Sequence, residues 1–174
     1  MKYRNCLFVC LLVSLVVISC RKPSKFPAEP VLEFISLEKV DNGTEIDSLA
    51  VLKLHFTHGD GNIGIDASDD DNPLFNDTSS FYYYNFYVLY YAKRNGEFVQ
   101  LPEGAFNARL PRFLSSKNPE PLEGEIEYVL LIRNPIFTTA PKMDTIKFEC
   151  WIIDRELRES NRVTTPEITV VNRL

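Results

Sequence analysis

Residues 58–77, HGDGNIGIDASDDDNPLFND, gather six aspartates and three glycines into twenty positions. Closely spaced carboxylates in a glycine-containing loop are what a calcium ion uses, since it takes six to eight oxygen ligands. Asp60, Asn62, Asp66, Asp69, Asp70, Asp71 and Asp77 are the candidate donors. An EF-hand counted from Asp60 has Asp60 at position 1, Asn62 at 3, Gly64 at 5, Ile65 at 6 and Asp71 at 12. Positions 5 and 6 break the rule, so the segment is not an EF-hand. Two readings stay open: a solvated connection in which water and salt separate the like charges, which is the reading preferred here, and an unorthodox calcium site. No cofactor is required by either. Gly59, Gly61 and Gly64 also suit a strand end that needs a bulge or positive φ.

Other residues with chemical potential are few. His55 and His58 are the two histidines, and their spacing does not put them on one strand face, which argues against a zinc pair. Cys150 lies in an alternating run and reads as a small buried apolar residue rather than a nucleophile. The chain has no nucleophile elbow, phosphate loop, dinucleotide fingerprint or H-E-x-x-H. Paired carboxylates are common in an acidic chain and do not by themselves nominate a glycosidase. The reading is therefore non-enzymatic. FYYYNFYVLYY, residues 81–91, is the most aromatic stretch. Aromatic side chains fill sheet cores, and they also stack on sugar faces. Tyr83, Tyr87 and Trp151, the last on the outward alternation of its run, form the candidate ligand face.

The elements that must hold these residues are strands. Ala50, Leu52, Leu54 and Phe56 share one face of a period-two run, and Ile146, Phe148, Cys150 and Ile152 share one face of another. Similar runs cover 31–40, 81–92, 97–101, 126–133 and 167–171. Asn95-Gly96 is the preferred pair for a two-residue type I′ hairpin turn. No stretch of twelve or more residues shows helical spacing. The expectation is an all-β chain of about seven strands in a two-sheet antiparallel sandwich occupying residues 31–174.

Ahead of it, Lys2 and Arg4 precede LFVCLLVSLVVI, twelve uncharged residues at 7–18. That is a signal-peptide core, shorter than the roughly 20 residues of a spanning helix. Val17-Ile18-Ser19-Cys20 then resembles the bacterial lipobox, which implies a signal peptide over 1–19 and lipid attachment at Cys20. Acyl chains would anchor the protein to a membrane without spanning it. Cys6 and Cys10 would leave with the signal, so Cys150 would be the one thiol in the mature domain and no intramolecular disulfide could form. RKPSKFPAEP, residues 21–30, reads as a short extended tether. Removing residues 1–19 takes away two basic groups and no acid, moving the formal charge from −5 to −7. Nucleic acid is excluded as a partner on that balance.

The final stretch IKFECWIIDRELRESNRVTTPEITVV resembles the last hairpin of immunoglobulin-like and fibronectin type III-like domains of bacterial envelope proteins. The whole chain resembles small lipoproteins of the Bacteroidetes type that carry D-G-D-G-x-I-G after the second strand, with His58 here in place of the first aspartate. In such lipoproteins acidic residues after the cysteine accompany surface export, and Arg21-Lys22-Pro23-Ser24-Lys25 has none, which implies a periplasm-facing location. Asp47-Ser48-Leu49 and Asp144-Thr145-Ile146 resemble acceptor sites for glycosylation in that group. The resemblance implies a lipid-anchored envelope binding or assembly module whose partner is another envelope protein. The alternatives are a carbohydrate-binding accessory lipoprotein using residues 81–91, or an envelope hydrolase.

Overall fold

Alternation of apolar and polar residues becomes two antiparallel sheets whose apolar faces meet. The computed structural model describes residues 25–41, 43–66, 72–102, 106–113, 120–132 and 143–171. The signal segment, Cys20, and Asp69, Asp70 and Asp71 lie outside them. One sheet has the order β1 (Val31–Lys39), β2 (Leu49–His58), β5 (Leu122–Leu131). The other places β4 (Glu97–Gln100) beside β3 (Phe86–Arg94) and β6 (Met143–Ile152), with β7 (Val163–Thr164) and β8 (Ile168–Val171) both on the far side of β6. Strands 1, 2 and 5 facing strands 3, 4, 6 and the last is the connectivity of an immunoglobulin-like sandwich.

The core is the one the period-two pattern specifies. Ala50, Leu52, Leu54 and Phe56 of β2 meet Phe86, Val88 and Tyr90 of β3 and Ile146, Phe148, Cys150 and Ile152 of β6, all buried. Each full-sized side chain of this kind contributes about 1.5–3 kcal/mol when removed from water. Asn95 and Gly96 have φ of 52° and 89° between the paired Arg94 and Glu97, as a type I′ turn requires. Ile35 is the extra residue of a bulge in β1, where the register jumps between Phe34 and Ser36.

Three expectations are corrected. Residues 81–85 do not extend β3: Phe81–Tyr83 form a 3-10 turn, capped where the Ser80 hydroxyl accepts from the Tyr82 N–H at 3.1 Å. β5 begins four residues early, because Glu123, Glu125 and Glu127 continue the outward alternation before the apolar run and Gly124 makes room for the Phe56 ring. The expected two-sheet antiparallel sandwich of about seven strands is found, with eight strands among the described residues because the last is broken between β7 and β8. Pro166 lies in the break, and there the Phe148 N–H is accepted by the Thr165 hydroxyl at 3.0 Å instead of a ladder carbonyl. The tether ends sooner than expected: Gly59 N–H donates to Pro27 O at 2.6 Å, Lys25 pairs with Glu123 at 3.3 Å, and Pro30 is buried, so residues 25–30 lie against the domain.

Candidate functional site

The glycine-rich segment leaving β2 is a junction of backbones. A methyl group on Gly59 would sit 2.6 Å from Phe26 O and Pro27 O, one on Gly61 2.1 Å from Glu120 O, and one on Gly64 2.2 Å from Pro111 O. Three chain segments therefore cross here closer than any side chain permits. Gly61 and Gly64 also hold φ of 63° and 100°, the left-handed region glycine favours.

Beneath this crossing lies a buried ionic cluster. His58, wholly buried, points Nε2 at Asp154 Oδ2, 3.1 Å away. Since an ionised carboxylate only accepts, Nε2 carries the proton of that bond. Asp154 also accepts from the Arg158 N–H at 2.9 Å, the Arg158 Nε at 2.7 Å and the Glu156 N–H at 2.9 Å. Burial pushes the Asp154 carboxyl up, and the bonds from His58 and Arg158 outweigh it, holding the group below its usual range. The second arm of the Arg158 guanidinium reaches Asp60 Oδ2 at 2.8 Å. Asp60 thus already has a fixed cation. Asn62 donates to Glu156 at 3.3 Å, and Asp66 faces Arg112 at 3.7 Å. Among the described residues no group of three His, Cys, Asp or Glu side chains is placed to hold a metal. The calcium expectation therefore rests on Asp66 together with Asp69, Asp70 and Asp71.

The second site is on the outer face of the five-stranded sheet. There Tyr87, Leu89, Trp151 and Ile153 form a second apolar cluster, with Tyr82, Tyr84 and Tyr91 packed against it. Strand order and register place the rings. Tyr87 and Trp151 are directly opposed on β3 and β6, and their rings stack at 4.8 Å and 10°. Cys150 pairs with Val163, so Arg162 falls on the far side of Trp151, where its guanidinium covers the indole at 3.9 Å. Phe81 stacks on Tyr87 at 5.0 Å and 19°, and the Tyr87 hydroxyl donates to the Phe81 carbonyl. Burial pushes that phenol up to about 12. The result is a ladder, Phe81–Tyr87–Trp151–Arg162, flanking a pocket of about 360 Å³ lined also by Ser80, Tyr84, Leu89 and Asn107. Trp151, one of the residues around it, has a buried Nε1–H with no acceptor among the described residues.

The structure brings Tyr87 and Trp151 together and leaves Tyr83 apart. Tyr83 is in the 3-10 turn, edge-on to Tyr84 at 5.0 Å and under the Arg109 guanidinium at 4.8 Å. The expected open ligand face is also corrected. Tyr87 and Trp151 are each 4 % exposed, and both faces of both rings are covered within the ladder. Asp60 and Asn62 adjoin the buried cluster rather than the pocket. Cys150 is buried in the core, where desolvation pushes its thiol up to about 12. The Asp144 carboxylate is buried in a bidentate pair with Arg94 at 2.7 and 2.9 Å, so the second glycosylation-like tripeptide sits inside a paired strand. Sequence reasoning missed Arg162, Asn107, Asp154 and Arg158. The i, i+4 spacing of Asp154 and Arg158 was a signal for one pair; Arg162 and Asn107 depend on cross-strand register. No protein-family model matches the chain, and no curated protein or solved structure is found similar to it.

Proposed function

We propose that this protein is a lipid-anchored, periplasm-facing binding or assembly module of the bacterial cell envelope, without catalytic activity of its own. It meets another envelope component through the outer face of the five-stranded sheet. The observation that carries this is the concave pocket on the Phe81–Tyr87–Trp151–Arg162 ladder, an apolar surface with a buried, unsatisfied N–H, the combination expected of a recognition site. A non-catalytic reading is supported by Cys150, whose thiol is held neutral, and by His58, which is sealed against Asp154. Attachment through Cys20 is supported by the lipobox resemblance.

Two experiments test the reading on the full chain in its membrane. Cys20→Ala is expected to abolish incorporation of labelled fatty acid and release the protein from the membrane fraction; retained acylation would overturn the anchor. A photoreactive phenylalanine analogue replacing Phe81 is expected to cross-link an envelope component, while the same group replacing Glu97 does not. Equal cross-linking from both positions would remove the pocket from the proposal. The orphan indole N–H favours the second reading, carbohydrate binding, over a purely protein–protein contact, because it calls for a small acceptor-bearing ligand.

A further inference from the structure

The ladder determines what its pocket offers a ligand. Trp151 lies between Tyr87 and Arg162, and Tyr87 between Trp151 and Phe81, so neither ring has a face left for stacking or for a cationic head group. What these rings present is their rim, the electropositive part of an aromatic ring. The polar groups are donors too. Trp151 Nε1–H lacks an acceptor among the described residues. Asn107 Oδ1 accepts the Val88 N–H at 3.2 Å, which orients the amide and leaves its NH₂ without an acceptor among the described residues. The pocket therefore asks for oxygen acceptors. It does not ask for a formal negative charge, because the Arg162 guanidinium is already paired with Glu149 at 3.0 Å and faces Glu159 at 3.9 Å.

Among the described residues, the two strands that carry the pocket's rings, β3 and β6, have no vacant ladder for an extended peptide. On one side β3 pairs with β6; on the other its backbone is met by Ala108, Asn107 and, through Tyr90 O, Leu101. β6 lies between β3 and the β7–β8 pair. Strand addition, the usual means of holding a peptide backbone on a sheet, is therefore closed at β3 and β6. A neutral, compact ligand with several oxygens and one apolar side remains.

We infer that the pocket takes a neutral acetamido sugar. The acetamido carbonyl supplies the acceptor for the indole N–H or the Asn107 amide, its methyl meets Leu89, and ring hydroxyls take the remaining donor and Ser80. This rests on the carbohydrate reading and names its ligand class.

Trp151 is the single tryptophan of the chain, so intrinsic fluorescence reports the pocket directly. The full chain would be titrated with the β-1,4-linked trimer of N-acetylglucosamine, the corresponding glucose trimer and a capped tripeptide. The expected result is a saturable change with the acetylated trimer and none with the glucose trimer at equal concentration. Binding should weaken about tenfold in Asn107→Asp, which keeps the acceptor for Val88 and removes the NH₂ donors. Phe81→Ala should weaken it as well, and unchanged thermal midpoints would show that both variants fold. No response to the acetylated trimer, equal response to the two sugars, or undiminished binding in Asn107→Asp would each overturn the assignment. A response to the tripeptide alone would also overturn it while leaving the pocket a recognition site, and the cross-linking at position 81 reports separately on that broader reading.

Discussion

Gly61 and Gly96 both hold positive φ, 63° and 89°, yet a side chain would meet different surroundings at the two positions. Around Gly96 nothing lies within 4 Å of an added methyl group, so Gly96→Ala should cost only the strain of a left-handed residue, about 1–2 kcal/mol. At Gly61 the same methyl would overlap the Glu120 carbonyl, and two backbone segments must part. Gly61→Ala is therefore expected to destabilise well beyond Gly96→Ala. Thermal unfolding should separate them, since each kcal/mol moves the midpoint of a domain this size by about 2–4 °C. Equal losses would show that the crossing at Gly61 relaxes freely. Thr165 gives a second single-residue prediction. Its hydroxyl is the acceptor for the buried Phe148 N–H, so the near-isosteric Thr165→Val should cost about 1–3 kcal/mol by leaving that donor unpaired.

At the scale of elements, the turn between β6 and β7 is fastened to the end of β2 by Asp154, which binds His58 and Arg158 at once. Its carboxyl titrates below the unfolded value of about 3.9, so its contribution is complete above that pH and disappears as pH falls through the lower, folded-state value. Wild-type protein is expected to lose thermal stability below about pH 4. Asp154→Asn should start about 1–3 kcal/mol less stable at neutral pH, because an amide has one acceptor oxygen where the carboxylate uses two to hold His58, Glu156 and Arg158, while Arg158 keeps Asp60, and should show a flatter acid limb. Parallel acid limbs would mean that other carboxylates govern the transition. The sequence made β2, the core of β6 and the Asn95-Gly96 hairpin legible, because local alternation and turn chemistry suffice for them. It concealed the 3-10 turn at Phe81–Tyr83, where a strand-favouring aromatic run yields to the Ser80 cap and to packing over Tyr87. It also concealed why residues 59–64 are glycine-rich, because the backbones that cross there come from distant parts of the chain. Half of the candidate ligand site was readable, as Tyr87 and Trp151. Arg162 and Asn107 were not, since only pairing across β3, β6 and β7 puts them beside those rings.

The whole molecule has two ends, and the anchor would select between them. His58, Gly59, Asp154 and the docked residues 25–30 mark one; the β3–β4 turn at Asn95-Gly96 and the start of β6 mark the other. Ten residues of β2 separate these ends by about 33 Å. Five chain steps from Cys20 to Lys25 reach at most about 17 Å, so an acylated Cys20 would hold the His58 end against the bilayer and turn the hairpin away. Trp151 is three residues from Asp154, so the pocket is nearer the His58 end, and an anchor at Cys20 would bring it within reach of material at the bilayer surface. A fluorophore on Lys25→Cys should be quenched by nitroxide-bearing lipids, and one on Glu97→Cys should not. Cys150 needs no replacement for this labelling, because its buried thiol is held neutral. Losing the exposed Lys25–Glu123 pair should change stability by no more than about 1 kcal/mol. Strong quenching at both positions would require residues 25–30 to leave Gly59 and the domain to tumble on a longer tether; Gly59→Ala, which evicts Pro27 O from its contact, should then reproduce that pattern rather than create it.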